Sequence, residues 1–157
     1  MLQNIIGVIN RIILQPTGST DASEHYFDTI KNSIDLELVK RFVSNKDFLN
    51  LVDIYPNQSC MIWGVTPGGS NITQWNRITP GDVTLFSRFG EIYSSATTTY
   101  KIHNKQLAYE LWKENNKGQT WEYIYFLDEV YSHTGHFDIE SMYIQMKNKK
   151  YRVNRAT

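Results

Sequence analysis

Hydrophobic and polar positions along the chain fall into short blocks with two different periods. In "IYSSATTTYKIH", Ile92, Ser94, Ala96, Thr98, Tyr100 and Ile102 share one face, and Tyr93, Ser95, Thr97, Thr99 and Lys101 share the other. That period of two, rich in β-branched and aromatic residues, predicts one long strand. "SCMIW" (59–63) is a short apolar run closed by "PGGS", and "VTLFSR" (83–88) lies between the turn "TPGD" and the hairpin turn "FGE"; both predict strands. "TWEYIYFLDEV" (120–130) is aromatic on both faces, as a central strand covered on either side requires. "HYFDTI" (25–30) reads as a further strand.

Helical signals fill the gaps. Ser33 is a cap for "IDLELVKRFV", with Asp35 and Glu37 in the first turn and Lys40 and Arg41 near the end, as the helix dipole favours. "KDFLNLV" follows Asn45 as a second helix. Ser70 or Asn71 caps a short segment with Ile72 and Trp75 about one turn apart, and Asn104 caps "KQLAYELW", striped by Leu107 and Leu111. "KENNKGQ" is a polar loop. The N-terminal "NIIGVINRIIL" is too short to span a bilayer and is broken by Arg11, so it predicts a strand or short helix packed on the domain, with the polar "QPTGSTDASE" as a linker.

With 157 residues the chain fits one domain, able to bury roughly two thirds of its unfolded surface. Three parts are expected: 1–24 as apolar segment and linker, 25–146 as the domain, and 147–157 as a basic tail or linker. Sixteen basic and sixteen acidic residues cancel, so no global field draws the chain to nucleic acid or membrane. The run "KNKKYRVNR" nevertheless gathers Lys147, Lys149, Lys150, Arg152 and Arg155 without an acid, as a solvated tail or a phosphate-contacting arm. Cys60, the single cysteine, rules out an internal disulfide and suggests a cytoplasmic protein.

Aromatic residues make up 13% of the chain, a surplus that asks for a core or a ligand. In "IWGVTPGGSNITQW" (62–75), Trp63 stands at a strand end before a Pro-Gly-Gly loop, where side chains line pockets. Trp112 likewise abuts a polar loop, whereas Trp75 and Trp121 lie within periodic apolar patterns and read as core. Catalytic sets are lacking: His133 and His136 have no further ligands spaced for zinc, and Asp128 and Glu129 point to opposite faces of a strand. No enzyme activity and no cofactor are implied.

The succession of "TIKNS", a helix, a strand ending in "IW", a short helix, "GDVTLFSRFGEIYSSATT", a helix ending in "LW" and "EYIYFLDEV" resembles the YTH and EVE domains of the PUA-like superfold over residues 25 to 130. It is most similar to the reader domains of McrB-type modification-dependent restriction systems. The resemblance implies an α+β fold, a curved mixed sheet or small β-barrel flanked by helices, that holds a flipped, methylated base in an aromatic cage. Carried over by position, Trp63 and Trp112 are the first two cage walls, with Trp75, Tyr93 or Trp121 as the third. Gly64 stands where the family often has a small hydroxyl residue.

Gly64, Thr66, Asn71 and Asn32 are the candidates for hydrogen bonding to the base edge. Lys31, Arg77, Arg88, Lys113 and Lys117 are the candidates for phosphate contacts, extended by Lys149 to Arg155. The implied ligand is N6-methyladenine or 5-methylcytosine in DNA, with methylated RNA as the alternative and a PUA-like hydrolase further off. An NTPase or nuclease, fused or as a partner subunit, supplies any cleavage. A methylated lysine would need an acid beside Trp63, and none is there.

Overall fold

The computed structural model describes residues 10–133 and the backbone of residues 152–155. Lys147, Lys149, Lys150, His136 and residues 1–9 lie outside the described residues. The elements run β1 (Arg11–Pro16), α1 (Thr20–Tyr26), β2 (Ile34–Asp35), α2 (Leu36–Lys40), α3 (Asn45–Ile54), β3 (Ser59–Val65), α4 (Asn71–Arg77), β4 (Val83–Arg88), β5 (Glu91–His103), α5 (Lys105–Trp112), β6 (Tyr123–Ser132) and β7 (Arg152–Arg155). Among the described residues the strands form one sheet in the order β2-β3-β6-β5-β4-β1-β7. β1 is parallel to both β4 and β7, and the remaining pairings are antiparallel.

Alternation along the central strands builds two cores. Cys60 and Ile62 of β3, with Ile124 and Phe126 of β6, join Leu36, Val39, Leu51, Leu107 and Trp112 from the helices. The other parity, Trp63 on β3 and Tyr125 and Leu127 on β6, packs with Ile13, Ile30, Ile78, Phe86 and Ala96. A sheet covered on both faces needs apolar residues at both parities, which is why "TWEYIYFLDEV" is aromatic throughout. Burial also pushes the Cys60 thiol up to about 12, so it is an inert core residue.

The sheet curves where its register slips. One shift falls between Phe86 and Ser87, and two more, opposite β6, fall at Ser95/Thr97 and Thr98/Tyr100. Such bulges bend a strand and sharpen its twist. They also break the period of two expected for β5, since Ser94, Ser95 and Ala96 are all buried in succession. At the start of β1, the buried Asp82 carboxylate accepts from the backbone N–H groups of Arg11 and Thr79, each at 2.8 Å, and so ties this strand to the turn before β4.

Three expectations about the N-terminal half are corrected. "HYFDTI" is not a strand: α1 begins with Ser19 accepting from the Ala22 N–H and continues as a single π-helical turn, Phe27–Lys31. His25, Thr29 and Ile30 are its buried residues, at helical spacing, and the β-branched pair at its end imitates a strand. Part of the polar "linker" is therefore this helix. Ser33 is not a cap either; Asp35 accepts from the Glu37 N–H, and the preceding Ile34–Asp35 pairs with β3.

Candidate functional site

A cleft of about 300 Å³ opens where β3 runs out. One side carries Trp63, Gly64, Val65 and Thr66; the other is made by Gln15 and Pro16 at the end of β1 and by Gly18, Ser19 and Ala22 leading into α1. Asn71, the first residue of α4, and Trp121, just ahead of β6, complete it. The Thr29 hydroxyl, 3.0 Å from the His25 carbonyl and 2.5 Å from that of Ile62, fixes α1 against β3 beside Trp63.

Two polar atoms of the lining stand out. Trp63 Nε1, a donor, and Gln15 Oε1, an acceptor, are buried without a hydrogen-bond partner. The Gln15 amide nitrogen is already committed to the Pro16 carbonyl at 3.1 Å, so the orphan atom is the oxygen alone. Leaving a buried donor or acceptor unpaired costs about 1–3 kcal/mol.

Trp63, Gly64, Thr66 and Asn71 line the same cleft, with Asn71 Nδ2 3.4 Å from the Thr66 hydroxyl, but the Trp63 side chain is itself buried, 3% exposed, and packs edge-on to Phe86 in the core. Trp112 does not line the cleft. It belongs to the core on the opposite face from Trp63, with its ring against the α-carbon of Gly64. The second indole of the cleft is Trp121, which also packs against that core, as its apolar surroundings suggest. Trp75 lines a small neighbouring cavity with Ile13, Tyr125 and Ile78, and its Nε1 donates to the Ile124 carbonyl at 3.1 Å. Tyr93 lies outside both, its hydroxyl 2.6 Å from Thr17 Oγ1.

The remaining candidates are dispersed around this centre. Asn32 donates to the Phe27 carbonyl at 2.8 Å and so closes the π-helical turn, away from the cleft. Lys31 is exposed beside Phe27, and Arg77 is exposed at the end of α4. Arg88 reaches Ser23, next to the cleft residue Ala22, at 3.1 Å and lies over the Tyr93 ring. Lys113 ends α5 with a positive φ, and Lys117 sits in the Asn115–Gln119 turn that leads toward Trp121. Gln15 was missed by sequence reasoning; its one signal is a polar side chain closing the apolar run "RIILQP".

His25 supports the second indole from behind. Its ring lies 4.1 Å from that of Trp121, edge to face, and 5.5 Å from that of Trp112. Burial lowers its pKa below the ordinary 6.5, partly offset by the Asp21 and Asp28 carboxylates. The folded state therefore binds fewer protons here than the unfolded chain, and stability present above about pH 6.5 is lost as pH falls below it. Urea midpoints at pH 7.5 and 5.5 should fall more steeply for the wild type than for His25→Gln; equal slopes would contradict this.

Among the described residues no group of three or more His, Cys, Asp or Glu side chains stands ready for a metal, and no helix is long and apolar enough to cross a membrane. A bulged mixed sheet with helices on both faces and a cleft at a strand end makes an α+β domain. In particular, the chain is similar to the N-terminal domain of Thermococcus gammatolerans McrB bound to m5C DNA, with 16% identity over 91% of this chain and 84% of that one and a TM-score of 0.53. No protein-family model and no curated protein matches the chain. At this identity the likeness is one of fold.

Proposed function

We propose that the chain is a YTH/EVE-type reader of modified DNA that takes a flipped, methylated base into the cleft between Trp63 and Trp121. The observation that carries this reading is the cleft itself, lined by Trp63, Trp121, Gln15 and Asn71 at the end of β3, in a fold similar to that of a domain bound to m5C DNA. Extruding a base from a duplex costs a few kcal/mol, and aromatic stacking returns about 1–3 kcal/mol per base. Stacking is indifferent to sequence. Identity comes from the base edge, facing Gln15, Asn71 and the Gly64–Thr66 backbone. A cleft of about 300 Å³ is at the small end of ligand sites and suits one base.

Lys31, Arg77, Arg88, Lys113 and Lys117 would follow the phosphates around the mouth, without reading sequence. As the specificity module of a modification-dependent restriction system, the chain leaves translocation and cleavage to an NTPase or nuclease partner.

Fluorescence anisotropy on matched duplexes carrying N6-methyladenine, 5-methylcytosine or neither tests the reading, with RNA of the same sequence alongside. One modified duplex should bind in preference, and Trp121→Ala should weaken that binding by roughly ten- to hundredfold, the loss of one stacking face. Trp121 also packs on the core and against the His25 ring, so the urea midpoint of the variant separates a lost stacking face from lost folding. Salt-sensitive binding to all duplexes alike, unchanged by the mutation, overturns the reading; preference for the methylated RNA reassigns the ligand.

A further inference from the structure

The most exposed large apolar side chain among the described residues is Phe89, with 90% of its surface in solvent at the tip of the β4–β5 hairpin. Its backbone makes this choice of residue more unusual. The two residues between the paired positions Arg88 and Glu91 are Phe89 and Gly90, with φ of +52° and +79°. Two-residue hairpin loops with both central residues at positive φ favour Asn-Gly or Gly-Gly, and a bulky aromatic at the first position is strained. An apolar, strained residue with nothing to pack against contradicts the local rules of folding, and such violations gather at functional sites.

The register fixes where this tip stands. Ser87 pairs with Pro16, and its carbonyl accepts from the Thr17 N–H at 2.7 Å. Pro16 and Gly18 line the cleft. Phe89 lies two residues beyond Ser87, so at strand spacing its α-carbon is within ~12 Å of the cleft rim. Arg88 is drawn back over Tyr93 and onto Ser23, which leaves the phenyl ring as the projecting group.

We infer that Phe89 is a wedge, entering the base stack of the duplex where the flipped nucleotide has left it. The inference rests on the reader function proposed above and adds a residue that touches the duplex, not the flipped base. Extrusion leaves a gap between neighbouring pairs, and an apolar side chain inserted there replaces the lost stacking and stops the base from returning. Proteins that deform DNA in this way use Phe, Leu, Ile, Met or Pro for the purpose.

Phe89→Asn tests it, since it installs the Asn-Gly pair that the turn prefers and removes the ring. The variant should melt at a higher temperature than the wild type. Its affinity is then measured for a duplex carrying the preferred modified base and for a single strand with the same base, where no gap has to be filled. A roughly tenfold loss on the duplex, with single-strand affinity held within about twofold, is expected. Equal affinity of variant and wild type for the duplex overturns the wedge while leaving the reader intact. Equal losses on duplex and single strand also overturn it, because Phe89 would then contact the strand itself. A wild-type protein with no preference for the modified base on either substrate removes the reader function and the wedge with it.

Discussion

Gly64→Ala is expected to destabilise the domain by about 3 kcal/mol, at the upper end of what overpacking costs, and to abolish preferential binding. A methyl group at this position would meet the Trp112 ring at 2.8 and 3.1 Å and overlap the Trp121 backbone carbonyl. Neither neighbour can swing aside: one is an indole in the core, with 7% of its surface exposed, and the other is main chain. Relief would come from moving the segment that carries Trp121, and that segment is the far wall of the cleft. Stability and binding should therefore fail together. A denaturation midpoint equal to that of the wild type would show that the segment yields at no cost, and the packing argument would be wrong.

This glycine also shows what the sequence could and could not disclose. Its position after Trp63 was legible, and read against the reader domains it looked like the loss of a hydroxyl that would touch the base. The structure gives a different reason for its presence: the strand presses against an indole from the other face of the sheet, with no room for a β-carbon. Such a constraint comes from α5 and the loop after it, roughly fifty residues downstream, and leaves no local mark.

Ser70 precedes α4 without a side-chain capping bond, and β7 lies in the basic run that reads as a tail. The strands between residues 59 and 132 were readable because their periods and turns are local properties, and the Asn104 cap stands next to the helix it begins. "HYFDTI" was not, since residues that favour strands by propensity occupy a π-helical turn held by tertiary contacts, Thr29 to the Ile62 carbonyl among them. Trp121 was hidden by continuity. The apolar pattern of "TWEYIYFLDEV" runs without a break from residue 120, yet β6 begins only at Tyr123, so Trp121 precedes the ladder and is turned toward the cleft. Trp112 was misplaced for the converse reason: it borders a polar loop in sequence, but as the last residue of α5 it faces the core.

The sharpest separation of the tryptophans uses phenylalanine. Trp63 and Trp112 are both buried, and Nε1 of each lacks a partner, so Trp→Phe removes an unsatisfied donor as well as some apolar contact. The two terms oppose each other, at about 1–3 kcal/mol apiece, and each variant should stay folded with a similar small change in midpoint. Alanine at either position, by contrast, is expected to cost about 3–5 kcal/mol and to confuse folding with function. The phenylalanine variants part company in binding. Trp63 lines the cleft, so Trp63→Phe narrows the wall on which the base would stack and should weaken binding of the modified duplex several-fold. Trp112 lies behind Gly64 on the other face, and Trp112→Phe should bind the modified duplex as the wild type does. If the two variants lose affinity equally, both indoles act through the fold alone, and the base edge must be read by Gln15, Asn71 and the strand backbone.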